Sequence, residues 1–228
     1  MTALYGILAS LGAVQGSSVP PIPSRAYEEQ PADEASRVVT FDVLERMGKC
    51  LVNAEPKASM TLLTATPGTL VSDQAFDKLQ GHLTDCLYIG TERTAFTREI
   101  EIQIRGSALF GAVAQALYRL QFASRPPSSL PIPLSVAPIM PSTSEQGYGQ
   151  LIAGYAFAQC LVQAQPDLVR RLVLSPVASS EENEALSQLR PFMDRCAYKG
   201  TTVRADRNSF RLMLVQSLYR WSITAAAR

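Results

Sequence analysis

The sequence has few of the residues that enzymes most often use. Its 228 residues hold one histidine, His82, and one tryptophan. A Ser-His-Asp arrangement therefore has a single candidate base, and no G-x-S-x-G turn accompanies it. H-E-x-x-H is missing, and so are a C-x-x-C redox pair and cysteines at zinc-ligand spacing. The stretch "GSALFG" (106–111) has the glycine spacing of a phosphate loop but lacks the Lys-Ser/Thr that completes one, and "GYGQLIAG" (147–154) fails the G-x-G-x-x-G spacing. An excess of charge is missing as well. Lys and Arg total 21 against 20 Asp and Glu, so no overall field draws nucleic acid or an anionic membrane. No window reaches the ~20 apolar residues that span a bilayer. On these grounds no catalytic residue, no metal ligand and no cofactor is assigned.

What is present is the composition of a folded chain, with 46% hydrophobic and 18% charged residues. The opening "MTALYGILASLGAVQG" is an uncharged apolar run. It has the apolar core of a secretory signal, and Gly16 suits its cleavage site, but the basic start is missing. Residues 1–16 are read as a possible signal peptide, the alternative being an ordinary buried helix.

The strongest feature is a repeat. "CLVNAEP" (50–56) returns as "CLVQAQP" (160–166), an offset of 110. At that offset Ala75 meets Ala185, Leu79 meets Leu189, Cys86 meets Cys196, Tyr88 meets Tyr198 and Gly90 meets Gly200. The offset then falls to 101, where "QALYRL" (115–120) matches "QSLYRW" (216–221). The chain divides accordingly into a Pro-rich polar lead (17–37), unit 1 (38–121), a Pro/Ser-rich linker (122–147), unit 2 (148–222) and a tail (223–228). Proline lacks a donor and restricts the residue before it, so both Pro-rich segments read as extended or irregular.

Each unit reads as helix, helix, short extended piece, helix. Phe41, Leu44, Met47 and Leu51 recur at helical spacing, and Pro56 ends that run. "KASMTLLTA" and "DLVRRLVL" follow as short helices stopped by Pro67 and Pro176. Ser179 with Glu182 reads as a capping box, and Ser72-Asp73 as an N-cap. The next faces are Phe76, Leu79, Leu83, Cys86 and Leu186, Leu189, Met193, Cys196. Residues 97–105, "TREIEIQIR", alternate as a strand does, and the deletion removes most of that piece from unit 2. The fold class expected is mainly α: two tandem homologous helical units, with at most a short strand or hairpin in unit 1.

Four cysteines allow three pairings. If each unit descends from an ancestor that folded alone, the bonds are internal: Cys50–Cys86 and Cys160–Cys196. Each would staple the first helix of its unit to the third, which places the chain in an oxidising compartment, periplasmic or secreted. The alternative is four reduced, buried cysteines in a cytoplasmic protein. His82 faces Phe192 in the repeat alignment, a packing position rather than a catalytic one.

The units also share Gln-x-Leu-Tyr-Arg. Tyr118, Arg119, Tyr219 and Arg220 can close the core edge, with each phenol on a backbone or arginine partner. They can also form a surface for a ligand or partner, since tyrosine and arginine dominate binding hot spots. Between Arg190 and Arg228 basic residues outnumber acidic ones, while the acidic "YEEQPADE" lies near the start; the pattern reads as solvated helix faces that offset one another, the alternative being an anion- or envelope-facing patch at the C-terminal end.

Cys-Leu-Val, a proline six residues after the cysteine, a second cysteine 36 residues on and a closing Leu-Tyr-Arg resemble uncharacterised exported proteins of alphaproteobacteria. The resemblance covers residues ~38–121 and ~148–222 and implies no activity. The function expected is a non-enzymatic interaction or binding protein of the cell envelope with a protein partner. Two alternatives stand beside it: an enzyme or small-anion binder with its site between the units, and a cytoplasmic structural protein.

Overall fold

The computed structural model describes residues 27–29, 33–65, 69–87, 106–127, 148–197 and 203–227. The possible signal peptide, most of both Pro-rich segments and the alternating stretch 97–105 lie outside these residues. Within them the chain is helical, with eight helices in two sets of four that follow the same order.

The first set opens with α1 (Glu34–Ala54). Asp33 caps it, its side chain accepting from the Ser36 amide, so the helix begins inside the segment expected as a lead. Phe41, Leu44, Met47 and Leu51 form its buried stripe. Pro56 removes the donor needed for another turn, and α1 stops at Ala54. The same proline starts α2 (Pro56–Thr64), because the first helical position needs no donor and suits a fixed φ. The second set repeats this: α5 (Tyr148–Ala164) ends before Pro166, which starts α6 (Pro166–Leu174).

The third helices are α3 (Leu70–Leu87) and α7 (Ser180–Cys196). Ser179 caps α7 as expected, its hydroxyl accepting from the Glu182 amide at 3.1 Å. In α3 the cap is not Ser72-Asp73. The Thr69 hydroxyl accepts from the Ser72 amide at 3.3 Å, which places Ser72 in the first turn with its side chain buried. Thr69 stands opposite Ser179 in the repeat, so the two helices start at equivalent positions.

The last helices are α4 (Gly106–Phe122) and α8 (Arg207–Ala226). Asp206 caps α8, and the helix continues through most of the segment expected as a tail. Every residue from Phe210 to Tyr219 is buried, which marks α8 as a central helix with no solvent face along that stretch. It packs on α4, and α1 and α5 cover this pair from either side. The outer helices α2 with α3, and α6 with α7, complete each unit.

Cys50–Cys86 ties α1 to α3, and Cys160–Cys196 ties α5 to α7. Both bonds join Cα atoms 5.5 Å apart across a separation of 36 residues, and no cysteine is free. The two tandem stapled units read from the sequence are therefore the fold. A parallel two-stranded pair departs from the expectation of strand only in unit 1. β1 (Tyr27–Glu29) pairs with β2 (Val203–Ala205), Tyr27 opposite Val203, so backbone from before unit 1 joins a segment of unit 2. Among the described residues no helix is long and apolar enough to cross a membrane.

Candidate functional site

The unusual chemistry of this chain lies at the boundary between the units. Arg37 projects from α1 of unit 1, Glu182 from the first turn of α7 and Arg211 from α8, and all three are at least 95% buried. Arg37 Nη2 lies 3.1 Å from one Glu182 carboxylate oxygen, and Arg211 Nη1 lies 3.2 Å from the other. The carboxylate also accepts from the Ala178 amide at 2.8 Å. In a capping box this third residue reaches back to the cap's own amide. Here it reaches one residue further, and Ala178 takes a positive φ of 60° to present its N–H.

Two arginines against one carboxylate leave an excess positive charge in the interior, and further acceptors offset it. Arg211 Nη2 donates to the carbonyls of Val173 (2.8 Å) and Ser175. Its guanidinium lies 4.8 Å from the Phe41 ring centre, within cation–π range. Burial still dominates and brings the Arg211 pKa down to about 10, against the pull of Glu182 in the other direction. The Asn208 side chain donates to the Arg37 carbonyl at 2.9 Å, so the start of α8 holds the start of α1.

The four residues of the Tyr-Arg motif lie beside this boundary. Tyr118 and Tyr219 are buried, and burial raises both phenol pKa values. Tyr219 donates to Gln121 at 3.2 Å across the boundary, and its ring meets Phe122 edge to face. Arg220 Nε donates to the Leu63 carbonyl at 2.8 Å, and burial lowers its pKa. Arg119 lies 3.8 Å from Glu45. Tyr155, which replaces Glu45 in the repeat, donates to Gln216 at 2.9 Å. In this structure both phenols are buried, and the two arginines meet Glu45 and the Leu63 carbonyl.

His82 is half exposed, with Nε2 3.8 Å from Glu55. Among the described residues no cluster of three histidine, cysteine or acidic side chains is placed to hold a metal ion.

Sequence reasoning missed the Arg37–Glu182–Arg211 cluster. Arg37 and Glu182 are 145 residues apart, and neither has a charged counterpart in the repeat. One signal was available: Glu182 and Arg211 stand opposite Ser72 and Phe110, so charge replaces neutral residues twice in one unit. The surface carries a second asymmetry. Leu70 and Val71 open α3 with 72% and 56% of their area exposed, where α7 has Ser180 and Glu181. The chain matches no protein-family model, no curated protein and no solved structure.

Proposed function

We propose that this chain is an exported interaction protein of the cell envelope, periplasmic or secreted, that binds a protein partner and performs no chemistry of its own. Two disulfides and no free cysteine suit an oxidising compartment. The single observation that carries the reading is the start of α3. Exposed first turns are normally polar, as α7 illustrates with Ser180 and Glu181. In α3 two adjacent large aliphatic side chains, Leu70 and Val71, stand in water instead. Scattered apolar residues on a surface need no explanation, but adjacent ones at a polar position fit a contact with an apolar protein surface.

The test is photocrosslinking in intact cells. A photoreactive amino acid is placed singly at Leu70, Val71, Ser180 and Glu181, and cell fractions are probed for adducts. The expected result is a discrete protein adduct from positions 70 and 71, in the envelope or secreted fraction, and none from 180 or 181. Equal labelling at all four positions, or adducts confined to the cytoplasm, would remove the reading.

A further inference from the structure

Equivalent helices meet at the boundary between the units, yet unlike side chains fill some of its equivalent positions. Gly111 of α4 corresponds to Leu212 of α8 at the offset of 101, and the two residues face each other. A Cβ built on Gly111 would stand 2.5 Å from Leu212 Cβ. Leu212 therefore fills space that only a glycine leaves open. A second unit 2 in place of unit 1 would set Leu212 against Leu212 with no room for either. A second unit 1 in place of unit 2 would set Gly111 against Gly111 and leave a void.

The carbonyls of Leu63 and Val173 correspond in the repeat, and each is bound from across the boundary: Gln115 donates to Val173 at 3.0 Å and Arg220 to Leu63 at 2.8 Å. Gln216 and Arg119 bring the same donor types at the equivalent positions, so these bonds do not discriminate. The charges do. In a pair of unit 1 copies Arg37 would face Ser72 instead of Glu182, and a guanidinium would be buried with no carboxylate.

We infer that the α4/α8 boundary is a heterotypic recognition surface: unit 1 accepts unit 2 and refuses another unit 1, and unit 2 behaves likewise. The partner that fits is the opposite unit. A second copy of this chain is therefore held through that face only by reciprocal exchange of units, never by like on like. The inference stands apart from any partner at Leu70 and Val71.

The test uses the full chain with a protease site inserted within residues 128–147, folded and oxidised before it is cut. Native mass spectrometry of the cut protein, taken after its halves have been dissociated in urea without reductant and allowed to reassociate, is expected to find one-to-one complexes of unit 1 with unit 2, with like pairs about tenfold rarer or less. Gly111→Leu is expected to weaken the complex by about tenfold or more. Adding Leu212→Gly to it reverses knob and hole and should recover most of the loss. Halves that separate on cutting, like pairs as abundant as unlike ones, or a double variant no better than Gly111→Leu would each overturn the inference. If Gly111→Leu fails to fold, the unmodified cut protein decides the matter alone.

Discussion

At the scale of single residues, Glu182 joins unit 1, α8 and its own loop through one buried carboxylate, which receives Arg37, Arg211 and the Ala178 amide. A buried ion pair is weak evidence of net stability, since desolvation offsets the attraction. Removing one partner is a different matter, because the groups left behind remain buried. Glu182→Gln keeps the shape and removes the charge, leaving two buried guanidinium groups with no counter-ion. The expected cost is about 3–5 kcal/mol, read from the urea midpoint at constant slope. Ser72→Ala, at the equivalent place in unit 1, is expected to stay within about 1 kcal/mol, because Ser72 takes its hydrogen bond through the backbone amide. Equal losses in the two variants would mean that the position matters and the charge does not.

At the scale of elements, the two staples invite direct comparison. Both close a separation of 36 residues, and each joins the first and third helices of its unit. On the chain-entropy account each contributes about 4 kcal/mol through the unfolded chain, and equal loops predict equal losses. Replacing Cys50 and Cys86 by alanine, or Cys160 and Cys196, should therefore lower the urea midpoint by similar amounts under non-reducing conditions. A pair whose removal costs nothing would mean that packing alone holds those two helices. These staples were legible in the sequence because the repeat set the pairing and the 3.6-residue period put each cysteine on an apolar face. The short helices were legible because Pro56 and Pro166 mark both the end of one helix and the start of the next. The Thr69 cap was obscured by Ser72 and Asp73, which offered stronger capping residues nearby, and only the tertiary position of α3 decides between them. The Arg37–Glu182–Arg211 cluster was hidden for a related reason. A charge that will be buried looks in sequence like any other, and its partners come from another unit.

At the scale of the whole molecule, the buried phenols make alkaline stability a test of the packed boundary. Tyr118, Tyr155 and Tyr219 all have pKa values raised above 10 by burial, against smaller opposing effects from Arg170 on Tyr118, Gln216 on Tyr155 and Gln121 on Tyr219. Between the unfolded value near 10 and the raised folded value, the folded chain holds more protons than the unfolded one. Stability is therefore level below about pH 10 and falls as pH rises beyond it. Arg211 acts in the opposite sense. Its folded pKa of about 10 lies below the ordinary arginine value, so the fold carries the cost of that buried charge at lower pH and recovers it as pH rises past 10. Arg220, whose pKa burial also lowers, acts in the same sense as Arg211; three phenols stand against two guanidinium groups, and the net slope above pH 10 is expected to be downward. Tyr118 and Tyr219 stand at the α4/α8 boundary and Tyr155 between α5 and α8, so ionising them opens the centre of the molecule rather than its rim. Helix content, followed by circular dichroism, is expected to fall in one step above pH 10. Phenolate absorbance should rise with it. Tyr219→Phe removes one of the three groups and leaves only exposed Gln121 without its partner, so it should move that step to higher pH. A smooth titration of all the tyrosines near pH 10 with the helices intact would mean that water already reaches the boundary.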